Sequence, residues 1–159
     1  MAYWSDSGVR ATSFAGGSGT SSSPYLISTP AQLGYLCYLI NSSTSSSYKS
    51  KYYKLTADLN MNANYWIPIG YASTSYAFTG NFDGDGHTIS YMTINGTYSG
   101  CGLFGYAGSS ATIKNLKMTK LVITNSKSST ATYVGCILGY SSNTTISNVY
   151  LDNPCIFDY

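Results

Sequence analysis

Three heptads decide the fold: "TISYMTI" at 88–94, "TIKNLKM" at 112–118 and "TISNVYL" at 145–151. They superpose without gaps. Each opens on threonine followed by an apolar residue, with a second apolar residue three positions on and a third two beyond that. The apolar triples are Ile89, Met92 and Ile94; Ile113, Leu116 and Met118; and Ile146, Val149 and Leu151. A spacing of two is strand alternation. A spacing of three means that the chain bends once between the first pair. In two copies the bend holds asparagine, Asn115 or Asn148, which tolerates the left-handed conformation a corner needs.

A second repeat precedes the later two heptads. "GCGLFGYAGSS" at 100–110 matches "VGCILGYSSN" at 134–143. Both carry an apolar pair, then Gly-Tyr, then a small polar turn. The interval between the second and third heptads is lengthened by a polar loop, "TNSKSSTATY". A strand–corner–strand unit of roughly twenty-odd residues, with loops on one side, is the signature of a solenoid. One unit cannot bury its inner face alone. Stacked units can, with isoleucine over isoleucine and leucine over methionine. The expected fold is all-β, a right-handed parallel β-helix (β-solenoid).

One segment breaks the pattern. In "TPAQLGYLCYLINSS", Thr29 is an N-cap, Pro30 takes the first helical position and Gln32 completes a capping box. Leu33, Leu36, Cys37 and Ile40 then form a single apolar stripe, predicting a short helix over about 29–41. Residues 1–23 read as a polar lead-in arm and 24–159 as one solenoid domain, with repeat units at about 100–118 and 134–151.

Composition narrows the function. Charged residues make up 9% of the chain, far below the usual quarter. There is no glutamate, one arginine (Arg10) and one histidine (His87), while tyrosine reaches 17. Such a hydroxyl- and tyrosine-rich surface suits extracellular β proteins in contact with sugars or other surfaces. A net charge of +2 does not argue for nucleic acid. Lys49, Lys51, Lys54, Lys114, Lys117 and Lys120 read as solvated positions. No apolar run is long enough to span a membrane. The start, "MAYWSDSGVR", lacks a signal-peptide pattern: a signal has been removed, or export is by another route, or the protein stays inside. Cys37, Cys101, Cys136 and Cys155 lack zinc-ligand spacing and read as buried free thiols.

The text from about Gly16 to Asn153 resembles the GLUG-repeat proteins, bacterial surface and secreted proteins that include regions attached to immunoglobulin A peptidases. "WIPIG" followed by "FTGNFDGDGHTISYMTI", then "GLFGYAGSSATIKNL" and "VGCILGYSSNTTISNV", carry the likeness. "GLFGY" matches the motif that names the family, and "CILGY" is a looser copy. The resemblance implies a β-solenoid capped at its N-terminus by the short helix, and implies no catalytic activity. Two GLUG-like units are present where long arrays are common, and the chain ends soon after a strand. Either this is part of a longer array, or that end stacks on another chain.

"FTGNFDGDGHTISYMTING" (78–96) holds Asp83, Asp85 and His87. Two aspartates in an extended segment share a face, which suits acid/base work on a glycosidic bond or a calcium site in a polysaccharide lyase. The lyase reading wants several acids and a nearby Arg or Lys, and the calcium reading wants further oxygen ligands, whereas the chain has no Glu and Arg10 lies in the arm. As scaffolding, Gly80, Gly84 and Gly86 allow turns, the aspartates bond their own turn amides, and a buried His87 bonds a neighbouring backbone. We expect a corner, no catalytic residues and no metal, with Asp83 and Asp85 as weak metal candidates. Trp66 reads as core. Tyr71, Tyr76, Tyr98, Tyr52 and Tyr53 are the candidate ligand contacts. The expected function is a non-catalytic module of a secreted or surface protein, needing no cofactor. It would serve adhesion to a host or surface glycan or protein, or structural presentation. Self-association through the C-terminal end and a lyase-like enzyme are the alternatives.

Overall fold

The computed structural model describes residues 1–42, 45–125, 133–153 and 156–158. Strand β1 (Tyr25–Ile27) leads into α1 (Pro30–Asn41) and the single-turn α2 (Ser45–Tyr48). Then come β2 (Tyr52–Leu55), β3 (Leu59–Asn60), a 3-10 turn (Thr74–Tyr76), β4 (Asn81–Asp83), β5 (Thr88–Ser90) and β6 (Thr93–Gly96). The rest is β7 (Gly100–Cys101), β8 (Phe104–Gly108), β9 (Thr112–Thr119), β10 (Val122–Asn125), β11 (Tyr133–Val134), β12 (Leu138–Ser142), β13 (Thr145–Asp152) and β14 (Ile156–Asp158). The fold is all-β in character, and every ladder between these strands is parallel.

The ladders run in the order in which the chain returns to each face. Tyr25 pairs with Tyr53, Tyr53 with Phe82, Phe82 with Ile113, and Ile113 with Ile146. A second column runs Leu59, Ile89, Met118, Leu151. A third joins Ile94, Ile123 and Phe157. Each return takes about thirty residues, a repeat-protein period. The inward members down to Ile123 form one buried cluster with α1, whose Leu33, Leu36, Cys37 and Ile40 are fully buried as the stripe predicts.

The heptads share one local geometry but not one address. Tyr91, Asn115 and Asn148 hold the same heptad position, and all three are left-handed, with φ of 57, 54 and 50. However, Ile89 does not lie over Ile113. It pairs with Met118, and Ile113 pairs instead with Phe82. The reason is the Gly84–His87 insertion. "NFD" takes the place of "TIK", four residues make the corner that Asn115 and Leu116 make in the next layer, and "TIS" meets "KMT". The later two heptads do stack, Ile113 on Ile146, Leu116 on Val149 and Met118 on Leu151. The Gly-Tyr repeat stacks too, Phe104 on Leu138 and Tyr106 on Tyr140.

At the N-terminal end, the Thr29 hydroxyl accepts the Gln32 amide at 3.3 Å. The Gln32 side chain reaches back to the amide of Ser28, at 2.8 Å, rather than to that of Thr29. The arm packs rather than floats: Trp4 Nε1 donates to the Met61 carbonyl at 3.2 Å, and Phe14 stacks on Tyr25 at 4.6 Å. Cys37 and Cys101 are buried thiols, whereas Cys136 is disulfide-bonded, correcting the free-thiol expectation. Cys155 lies outside the described residues.

Candidate functional site

The acidic glycine stretch is a corner held by its own aspartates. Asp83 closes β4, and its Oδ1 accepts the Asp85 amide at 2.9 Å and the Asn115 side-chain amide at 3.0 Å. Its Oδ2 faces the Lys114 ammonium at 3.3 Å. Burial alone would raise the pKa of Asp83. Hydrogen bonds from Asn115, the Asp85 amide and Lys114 outweigh burial and hold it below the ordinary carboxylate value. Asn148 continues the line, donating to Asn115 Oδ1 at 2.8 Å. Asp83 therefore heads a polar ladder along the corners.

Gly84 is required because a side chain there would run into the Asn115 carbonyl and Leu116. Asp85 and Gly86 take left-handed φ of 51 and 83. The Asp85 carboxylate pairs with Lys54 at 3.0 Å. The two carboxylates thus address different lysines. Among the described residues no three His, Cys, Asp or Glu side chains are placed to share a metal ion.

His87 differs from expectation. It is partly exposed, and its Nδ1 lies 3.3 Å from Asp58 Oδ1, a side chain rather than a backbone partner. The same oxygen accepts the Thr88 amide at 2.8 Å. That amide, more than the histidine, holds the Asp58 carboxyl below its usual range. The carboxylate displaces the expected backbone bond because Asp58 stands just before β3, which pairs with β5.

The tyrosine candidates separate by strand parity and packing. Tyr53 points inward and is 1% exposed, with its hydroxyl donating to the Tyr48 carbonyl at 2.7 Å. Burial raises its pKa. Tyr98 is 8% exposed, folded over Gly96 and edge-on to Tyr71 at 5.3 Å. Neither offers a ring to a ligand, which corrects the expectation for both. Tyr52 alternates outward and is 37% exposed; Tyr71 and Tyr76 are half-buried. Trp66 is fully buried, its indole donating to the Leu103 carbonyl at 3.1 Å.

Sequence reasoning missed two features. "IGY" at 69–71 is a third copy of the Gly-Tyr unit, since Ile69 bridges to Phe104. Strand alternation in "YYKL", "NFD" and "TIK" also signals an outward column, Leu26, Lys54, Asp83, Lys114, in register across β1, β2, β4 and β9. Beside it Tyr52 pairs with Asn81. With Ser21 and Pro24 these residues line a groove of about 510 Å³.

The chain is similar to two known proteins. It is 32% identical over 158 residues to halomucin of Haloquadratum walsbyi, a match covering 92% of this chain and 2% of halomucin. It is 32% identical over 118 residues to a putative Gly-rich membrane protein of Evansella cellulosilytica, covering 70% of this chain and 13% of that protein. The chain therefore spans a small part of each relative. No family model matches it, and no solved structure does.

Proposed function

We propose that this chain is a right-handed β-solenoid module of the GLUG-repeat type, carried by a secreted or cell-surface protein. It serves adhesion, ligand contact or structural presentation, not catalysis. The carrying observation is that the chain's acidic loop is occupied by the fold. Asp83 holds the Asp85 amide and the asparagine ladder, and Asp58 holds Thr88. Parallel columns with left-handed corners support the solenoid reading. One relative is named halomucin and the other a putative Gly-rich membrane protein, which supports a surface location. So does the Cys136 disulfide, a bond that persists in oxidising compartments. A module of this kind works by many weak contacts multiplied by repetition.

The test is protease shaving of intact source cells, read with an antibody to this segment. Loss of signal from unlysed cells is expected; protection until lysis overturns the surface reading. Turnover of polyuronides or common glycans, with or without calcium, that vanishes in an Asp83→Asn, Asp85→Asn variant would overturn the non-catalytic reading.

A second reading is favoured by β13. Its Ile146 and Leu151 are 46% and 50% exposed, although they continue buried columns. Among the described residues β13 pairs with β9 alone, and an edge strand with apolar inward positions is a template for pairing. α1 and the arm cover the other end, so two copies would meet through β13 on each. Light scattering decides: a monomer at every concentration removes this reading.

A further inference from the structure

We infer that the groove on the outer face of β1, β2, β4 and β9 binds a short stretch of neutral oligosaccharide. This gives the proposed contact module a site and a ligand class, and it rests on that reading. The groove, about 510 Å³, lies within the range of small-ligand sites, about 300–1,000 Å³. One wall is apolar: the Tyr52 ring, with Pro24 and Leu26 beside it. The C–H face of a sugar ring packs on such a surface, and a tyrosine offers it at low entropic cost.

The polar side is built for hydroxyls rather than ions. Asn81 presents a carboxamide with two donors and one acceptor, and Tyr52 presents a phenol. Among the described residues neither side-chain polar group has a hydrogen-bond partner within the protein. The charged groups of the groove are already matched. Lys114 pairs with Asp83 at 3.3 Å, and Lys54 pairs with Asp85 at 3.0 Å. Asp83 also holds two amide donors. An anionic glycan would meet lysine charges that Asp85 and Asp83 already balance, so it gains no unpaired cation. A neutral one need only satisfy Asn81, the Tyr52 hydroxyl and the remaining ammonium protons.

The test is an amide-resolved NMR titration of the whole chain with cellohexaose, xylohexaose and mannohexaose, with hexagalacturonate as the anionic comparator. At least one neutral hexaose is expected to shift the backbone amides of Tyr52, Lys54, Asn81 and Lys114, and the Asn81 side-chain amide, in a saturable way. Affinity should change less than about twofold between about 50 and about 500 mM NaCl, because no net charge is neutralised. Tyr52→Ala and Asn81→Ala should each weaken binding about tenfold while leaving the remaining spectrum in place. Silence of these amides with all three neutral hexaoses, response to hexagalacturonate alone, or unchanged affinity in both variants overturns the inference. A chain that is shaved from intact cells but whose groove stays silent sinks the ligand site and leaves the surface reading standing.

Discussion

Ile113 and Ile146 are register partners in the β9–β13 ladder, yet Ile113 is fully buried and Ile146 is 46% exposed. Both occupy the same inward position. Ile113 is flanked by Phe82 on one side and Ile146 on the other, whereas among the described residues Ile146 has a ladder partner on one side. Ile113→Ala should therefore cost about 2–5 kcal/mol, the range for deleting a buried aliphatic side chain. Ile146→Ala should cost about 1 kcal/mol or less, since half of its surface is already in water. Urea unfolding of the two variants measures both. Equal losses would mean that Ile146 is covered in solution, as self-association requires.

The left-handed corners make a separable prediction. Asn115 combines a φ of 54 with side-chain bonds to Asp83 and from Asn148. Asn115→Ala loses both bonds and forces an alanine into a conformation that costs about 1 kcal/mol, for a total of about 1–3 kcal/mol. Asn115→Gly relieves the backbone part alone and should fall between wild type and alanine in denaturant midpoint. Glycine as damaging as alanine would show that the backbone conformation contributes nothing.

Stability should fall in acid through Asp83. Its folded pKa lies below the unfolded value, first against burial, then through Asn115, the Asp85 amide and Lys114. A carboxylate of this kind contributes stability that is present above the unfolded pKa, about 4, and lost as pH drops through the lower folded value. Asp58 acts in the same direction through the Thr88 amide. Denaturant midpoints measured from neutral pH downward should drop below about pH 4. Asp83→Asn should be weaker at neutral pH and flatter in acid. A variant with the wild-type slope would refute this assignment.

Gly34 offers a test in which propensity and packing oppose each other. It lies inside α1, where alanine ordinarily gains about 1 kcal/mol over glycine. Here a β-carbon would run into the Trp4 carbonyl. Gly34→Ala should therefore destabilise the protein and release the arm, seen as a changed Trp4 environment in near-ultraviolet circular dichroism. A stabilised variant would show that the arm does not seat on the helix in solution.

The thiols should be inert. Burial pushes Cys37 up to about 12, only partly offset by its bond from Asn41, so little thiolate is available to react. Iodoacetamide at neutral pH should leave Cys37 and Cys101 unlabelled in the native chain and label both in denaturant. Rapid native labelling, read by mass spectrometry, would count against this packing.

What the sequence by itself determined is what depends on neighbours along the chain. Thr29, Pro30 and Gln32 mark the start of α1 because a cap is built from adjacent residues. The heptads reveal a strand, a left-handed residue and a strand, and that geometry holds in all three. Their likeness could not say which strands each one pairs with, because the same local turn fits more than one place in the parallel ladders. Only the tertiary structure decided that Ile89 sits beside Met118, through Phe82 filling the position over Ile113 and Gly84 admitting Leu116. The same holds for the tyrosines. Composition announced a surface rich in phenols, but strand parity and the packing of neighbouring layers settled that Tyr53 and Tyr98 turn inward while Tyr52 faces the groove. Exposure belongs to contacts between residues far apart in the chain, and a single sequence does not carry those contacts.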